Sequence, residues 1–173
     1  MTLISSRTVY EGRIFDVTLD RVRLPHGIEA DLEVVRHDGS VVLIPITADG
    51  RLLLVQQYRH AAGRVLWELP AGSLEPGEEA EAAAARECQE ELGLIAGRLE
   101  RLHTLYSTPG FCSEFMVFFR ATGLRPPGAD DAAAHQDEDE SIEVGTFSVD
   151  EVRAMIAAGE IADLKTVAAL TMI

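Results

Sequence analysis

The sequence predicts an α+β fold with an N-terminal antiparallel β arm. Three observations carry that expectation. Runs rich in Val, Ile, Phe and Thr, punctuated by glycine turns, fill the front of the chain. A single alanine- and glutamate-rich helical stretch lies in the middle, with strand-like runs on both sides. Two further helical stretches close the chain. Strands, a helix, more strands and then helices is an α+β order. The 173 residues fit one domain with a small appendage. The 47% hydrophobic and 25% charged content is that of a folded globular chain rather than a disordered one.

The elements follow in order. Residues 9–24 read as strand, broken by Gly12, and Pro25-His26-Gly27 is a turn. Residues 28–35 alternate apolar and polar side chains, as a half-buried strand does. Asp38-Gly39 is a hairpin signal leading into residues 41–47. Asp49-Gly50 then joins that strand to residues 52–58, and the two are expected to pair as antiparallel neighbours in a buried sheet. Residues 65–69 form a further short strand, and 70–77 a loop marked by two prolines. Residues 78–92 give the strongest helix, with acids in its first turn and Gly93 as its stop. Strands are expected at 99–106, 114–121 and 142–147, with a long polar loop over 123–139. Ser148 and Glu151 form a capping box for a helix ending near Gly159, and a last helix starts at Asp163.

Fifteen basic against 29 acidic side chains give a net charge of −14, and Lys165 is the one lysine. Nucleic-acid binding needs basic patches, so nucleic acid is not an expected partner. The longest apolar runs fall far short of the roughly 20 residues of a membrane helix, and no membrane association is expected. The start of the chain lacks a basic segment followed by an apolar core, so no secretory signal is expected. Two cysteines, Cys88 and Cys112, make no disulfide framework, and a cytoplasmic setting is expected. The acids are clustered. Residues 75–91 hold seven glutamates and one arginine, and 137–143 hold five acids and no base. Like charges this dense repel unless a cation sits among them.

Residues three and four apart share a helix face, so Glu87, Glu90 and Glu91 put three carboxylates over one turn. Such hard oxygen donors suit Mg2+, or Mn2+, and leave room for a phosphate ligand. A solvated acidic face is the alternative. The surroundings decide between them. From Gly72 the chain runs five residues to Glu78, seven more to Arg86-Glu87, and on through Glu90-Glu91 to Gly93 and Leu94. Seven residue types at these spacings agree by chance on the order of 10^-8 at a given start. The segment resembles the Nudix box, the loop-helix-loop signature of the Nudix hydrolase family. The resemblance implies a Nudix fold, with a mixed β-sheet sandwiched by helices, and metal-assisted attack of water on a nucleoside diphosphate linked to another group. It implies Glu87, Glu90, Glu91 and the carbonyl of Ala71 as metal ligands, with Glu90 also near the chemistry. Gly72, Glu78, Arg86 and Gly93 are implied as structural, Glu78 and Arg86 bracing the loop against the helix. Cys88 replaces the aliphatic residue usual there and reads as packing.

Further segments resemble the ADP-ribose pyrophosphatase branch of that family. Pro109 stands sixteen residues after Gly93 in Ser-Thr-Pro-Gly-Phe. His135 to Glu143 resembles the branch's mobile acidic loop, which implies Glu138 as catalytic base and Glu140 as a metal contact, two roles that could be exchanged. A carboxylate on a mobile loop can accept the proton of the attacking water. Arg59 matches an arginine that grips the diphosphate, and a guanidinium suits phosphate oxygens. The first 40 residues resemble the branch's small N-terminal sheet, which implies residues 1–40 as a dimerisation arm and 41–173 as the hydrolase domain. Phe15, Arg36 and Arg51 are the arm and pocket candidates for substrate contact, with Pro109. The expected activity is hydrolysis of ADP-ribose to AMP and ribose 5-phosphate by a homodimer. Alternatives are another nucleoside diphosphate sugar such as GDP-mannose, or a non-catalytic nucleotide-sugar sensor.

Overall fold

The computed structural model describes residues 1–129, 131 and 142–173. Three strands come first: β1 (Thr2–Tyr10), β2 (Asp16–Arg23) and β3 (Glu29–Arg36), antiparallel in the order β1-β2-β3. The strand expected from residue 9 therefore begins at Thr2, before a turn in which the Gly12 N–H donates to Asp16 (3.2 Å). On β2 the period of two is plain. Thr18, Asp20 and Val22 are buried, while Arg21 and Arg23 face out to Glu29 and Asp31. All nine residues of β1 are exposed.

The rest of the chain builds two sheets. Strands β4 (Ser40–Pro45), β7 (Ala71–Ser73), β8 (Arg98–Tyr106) and β9 (Phe115–Thr122) form a mixed sheet in the order β7-β4-β9-β8, in which β4 and β9 run parallel. Strands β5 (Leu52–Arg59), β6 (Arg64–Glu68) and β10 (Glu143–Phe147) form an antiparallel sheet in the order β10-β5-β6. Helices are α1 (Ala80–Leu92), α2 (Val149–Ala158) and α3 (Leu164–Ala169). The β4–β9 wall separates two cores. Val41, Leu43, Val117 and Phe119 pack on Ala83, Ala84 and Cys88 of α1. Val42, Ile44, Met116 and Phe118 face Leu52 and Leu54 of β5, Val152 of α2 and Ala169 of α3. Continuous burial of β4 on both faces explains its unbroken apolar run. The layers match the α+β expectation.

Three expectations need correction. Residues 41–47 and 52–58 do not pair along their length. The Asp49-Gly50 turn forms, with Thr47 N–H donating to the Arg51 carbonyl (2.9 Å), but only Ile46 and Leu52 bridge before β4 and β5 diverge into different sheets. β4 pairs with β9 in parallel and with β7 antiparallel instead. Asp38-Gly39 likewise makes no hairpin, because it carries the chain from the arm sheet to the mixed sheet. Gly39 has φ +100 and lies so close to the Phe115 ring that a side chain there would overlap it. Third, the loop over 70–77 contains the short strand β7. The helical signals held. Ser148 and Glu151 make both halves of the capping box, and Gly93 and Gly159 end α1 and α2 in the left-handed region.

Candidate functional site

The site grows from the contact of α1 with β7. α1 buries Ala83, Ala84 and Cys88 against the mixed sheet, which turns Glu87 and Glu91, one turn apart, toward the end of β7. Both glutamates are only 7% exposed, an uncommon place for carboxylates. Glu91 accepts a hydrogen bond from the Ala71 N–H at 3.0 Å. Glu87 lies directly over Gly72, where a Cβ would overlap its carboxylate. Gly72 is thus required for close approach, since its φ is not in the left-handed region. Gly72→Ala should push Glu87 off its position. The expected outcome is a several-fold weaker affinity for a divalent cation with the fold retained, read by metal titration beside circular dichroism.

Arg86 is the hub of the acidic cluster. Its guanidinium donates to Glu78 (3.1 and 3.0 Å), Glu87 (2.6 Å), Glu90 (2.7 Å) and the Ser73 carbonyl (3.2 Å). It thereby ties the loop at 73–78 to the helix. The hydrogen bond from Arg86 holds the Glu78 carboxyl below the usual range, and Glu78 in turn raises Arg86, with Glu87 and Glu90 adding to it. Burial pushes the Cys88 thiol up to about 11, which suits packing rather than reactivity.

The donor set fits a hard divalent cation: buried carboxylates of Glu87 and Glu91 beside the Ala71–Gly72 backbone, with Glu90 next to Glu91 on α1 and Arg86 bonded to Glu87 and Glu90. Among the described residues no three acidic, histidine or cysteine side chains converge on one point as a finished ligand set. Arg86 draws Glu87 and Glu90 toward itself.

Two clefts flank this centre and share Ser73. One, of about 450 Å³, lies between the arm residues Arg13 and Ile14, His37 and Asp38, and Arg86 with Glu87. The other, of about 170 Å³, has Ala71 and Gly72 on one side, Arg59 and Lys165 on another, and Ser40 with Glu114 on the third. Arg59 is therefore brought to the box. Burial alone would lower its pKa, but the hydrogen bond and charge of Glu68 raise it.

The remaining sequence candidates are more scattered. Arg36 stays within the arm, donating to Thr18 (3.2 Å) and pairing with Asp20, and lines neither cleft. Arg51 lies in the turn after β4, where it donates to the Thr146 carbonyl (2.9 Å) and pairs with Glu151 (3.1 Å), and it too lines neither cleft. Phe15 packs against Tyr10 with the rings tilted by 44° (6.0 Å between centroids), beside a small hollow of about 160 Å³ next to Arg13. Pro109 is exposed in the loop before β9, which is tied to the arm by Val35 N–H to Phe111 O (2.8 Å) and Ser113 N–H to Val35 O (2.9 Å). Glu138 and Glu140 lie outside the described residues. Sequence reasoning missed Lys165, Glu68 and Glu114. No local spacing joins Lys165 to Glu68, which are 97 residues apart.

Comparisons with known proteins give the family. Residues 36–170 match the NUDIX domain, and residues 1–35 match the nucleoside diphosphate sugar hydrolase N-terminal domain. An ADP-ribose pyrophosphatase of Mycobacterium tuberculosis (strain ATCC 25618 / H37Rv) is 41% identical over 159 residues, covering 91% of this chain and 75% of that protein. One of Bacillus subtilis (strain 168) is 33% identical over 167 residues, covering 96% and 89%. A crystal structure of an ADP compounds hydrolase superposes with a TM-score of 0.83 at 24% identity, over 99% of this chain and 90% of that one, a likeness of fold.

Proposed function

The chain belongs to the NUDIX domain family, and from that premise we propose that it hydrolyses the diphosphate of ADP-ribose to AMP and ribose 5-phosphate. The observation that carries the reading is the pairing of buried Glu87 and Glu91 over Ala71–Gly72 with a cleft beside them that Arg59 and Lys165 line. Two of the relatives that share about a third or more of the sequence, at 33% and 41% identity, are ADP-ribose pyrophosphatases. Glu87, Glu90, Glu91 and the Ala71 carbonyl are the residues that would hold Mg2+, with Mn2+ as substitute. When bound, the metal supplies charge neutralisation at the diphosphate. Arg59 holds the diphosphate by charge-assisted hydrogen bonds. Glu138 takes the proton of the attacking water and Glu140 supports the metal end. Phe15, Arg36 and Pro109 are proposed outer contacts, reached where a second subunit meets the arm, and Arg51, in the turn after β4, is a further one.

The second subunit follows from the arm itself. β1 is exposed along its length, and Leu3, Ile4, Val9 and Tyr10 are large apolar side chains facing solvent. A three-stranded sheet so placed needs a partner surface. The chain is expected to be a homodimer, with residues 1–40 as the dimerisation arm, 41–173 as the hydrolase domain, and the cytoplasm as its setting. Light scattering should give twice 18.8 kDa; a monomer at working concentration would remove the dimer from the account. The substrate is tested by incubating the protein and Mg2+ with ADP-ribose, GDP-mannose and other nucleotide sugars. Release of the nucleoside monophosphate fastest from ADP-ribose is expected. Faster release from GDP-mannose would move the assignment to that base.

A further inference from the structure

We propose that Glu68 is a positioning residue that aims Arg59 at the cleft, and that the C-terminal helix α3, through Lys165, is part of that device. The inference deepens the functional reading above and rests on it. Glu68 is the last residue of β6, its side chain is 2% exposed, and both of its oxygens are used. Oε1 accepts from Arg59 Nε at 2.7 Å and Oε2 from Arg59 Nη2 at 2.9 Å, a two-pronged grip that fixes the plane of the guanidinium. Oε2 also takes the Lys165 ammonium.

Lys165 is itself nearly buried and held from the other side by Asp163 at 3.2 Å. The same Asp163 caps α3, accepting from Thr166 N–H (3.0 Å) and Thr166 Oγ1 (2.6 Å). Thr166 Oγ1 in turn accepts from the N–H of Leu69, the neighbour of Glu68 (2.8 Å). Helix α3 is thus fastened to the end of β6 at two consecutive residues.

The arrangement is poorly explained by stability alone. Burying a carboxylate with its cations gains little over apolar packing of the same volume. It is well explained by aim. Both partners of the buried Glu68 line the cleft beside Ala71 and Gly72, and the Arg59 side chain keeps 40% of its surface exposed there. Two of the guanidinium nitrogens are committed to Glu68, so an anion in the cleft meets a cation whose orientation is already set. The entropy of ordering a long side chain is then not charged to substrate binding.

A double-mutant cycle tests this, read as KM for the nucleotide sugar, kcat and the Mg2+ concentration for half-maximal activity. Glu68→Gln should raise KM about 10- to 100-fold, the worth of hydrogen bonds to a charged group. It should match the effect of Arg59→Ala and leave the Mg2+ dependence unchanged. In the Arg59→Ala background, Glu68→Gln should add almost nothing, because both act through one group. Effects that multiply would overturn the proposal. Should Glu68→Gln not fold, Glu68→Asp keeps the charge that Lys165 needs but draws the carboxylate back by one methylene. The proposal then requires a raised KM at near wild-type melting temperature, and an unchanged KM would overturn it. Wild-type turnover is the control: its absence sinks the functional reading, whereas wild-type turnover with additive variants sinks only this inference.

Discussion

Replacing Glu91 by Gln should lower kcat about 10^3-fold, which is about 4 kcal/mol of transition-state stabilisation, while the domain stays folded. Glutamine keeps the size of the side chain and a carbonyl oxygen that can still accept the Ala71 N–H, now bonded at 3.0 Å. The negative charge is what is lost, from one of two buried carboxylates a single turn apart on α1. Without that charge Glu87 has less repulsion to bear, so the metal-free melting temperature should hold or rise. Mg2+ should raise the melting temperature of the wild type by mass action and leave the variant almost unmoved. Wild-type turnover at saturating Mg2+ would remove Glu91 from the site.

Glu138→Gln should depress kcat about 10^2- to 10^4-fold, the usual worth of a placed general base, with metal and substrate affinity kept. Glu140→Gln should act mainly on the Mg2+ dependence. The reason is a division of labour. Glu87 and Glu91 are fixed on a helix whose opposite face is packed against the mixed sheet, which suits coordination. They are poorly placed to move toward a water as it reacts. Glu138 and Glu140 precede in sequence β10, which is held in register on β5, the strand that leads to Arg59. Steady-state kinetics and Mg2+ titration on the two variants together decide it. Near wild-type kcat in both would send the search for the base back to the box helix. Exchanged phenotypes would keep the mechanism and swap the two roles.

What was legible in the sequence was local. The three glutamates at helical spacing, the Gly93 stop and the Ser148–Glu151 box each report a single turn of chain, and each is found where its spacing places it. What was not legible depended on distant partners. Asp49-Gly50 does make its turn, yet whether β4 keeps β5 as a neighbour is decided by β9, whose strand lies far along the chain. Ala71–Ser73 reads as loop among prolines and glycines, and becomes a strand only because β4 offers it an edge. Glu68 reads as an interruption in an apolar run, and one of its two partners is the one lysine, on the last helix. Arg36 and Arg51 show the converse. Their residue type suits phosphate, but within this subunit they pair with Asp20 and Glu151 and line neither cleft beside α1.

The central claim is that the carboxylates of α1 serve a metal-dependent cleavage of a nucleoside diphosphate sugar. The most direct measurement is the release of AMP from ADP-ribose by the intact chain with Mg2+, with Mg2+ removed by EDTA, and with Glu91→Gln in place of the wild type. AMP and ribose 5-phosphate should appear in equal amounts with Mg2+ and fall to background in the other two arms. Equal release in all three arms, or tight binding of ADP-ribose with no AMP formed in any, would contradict the account.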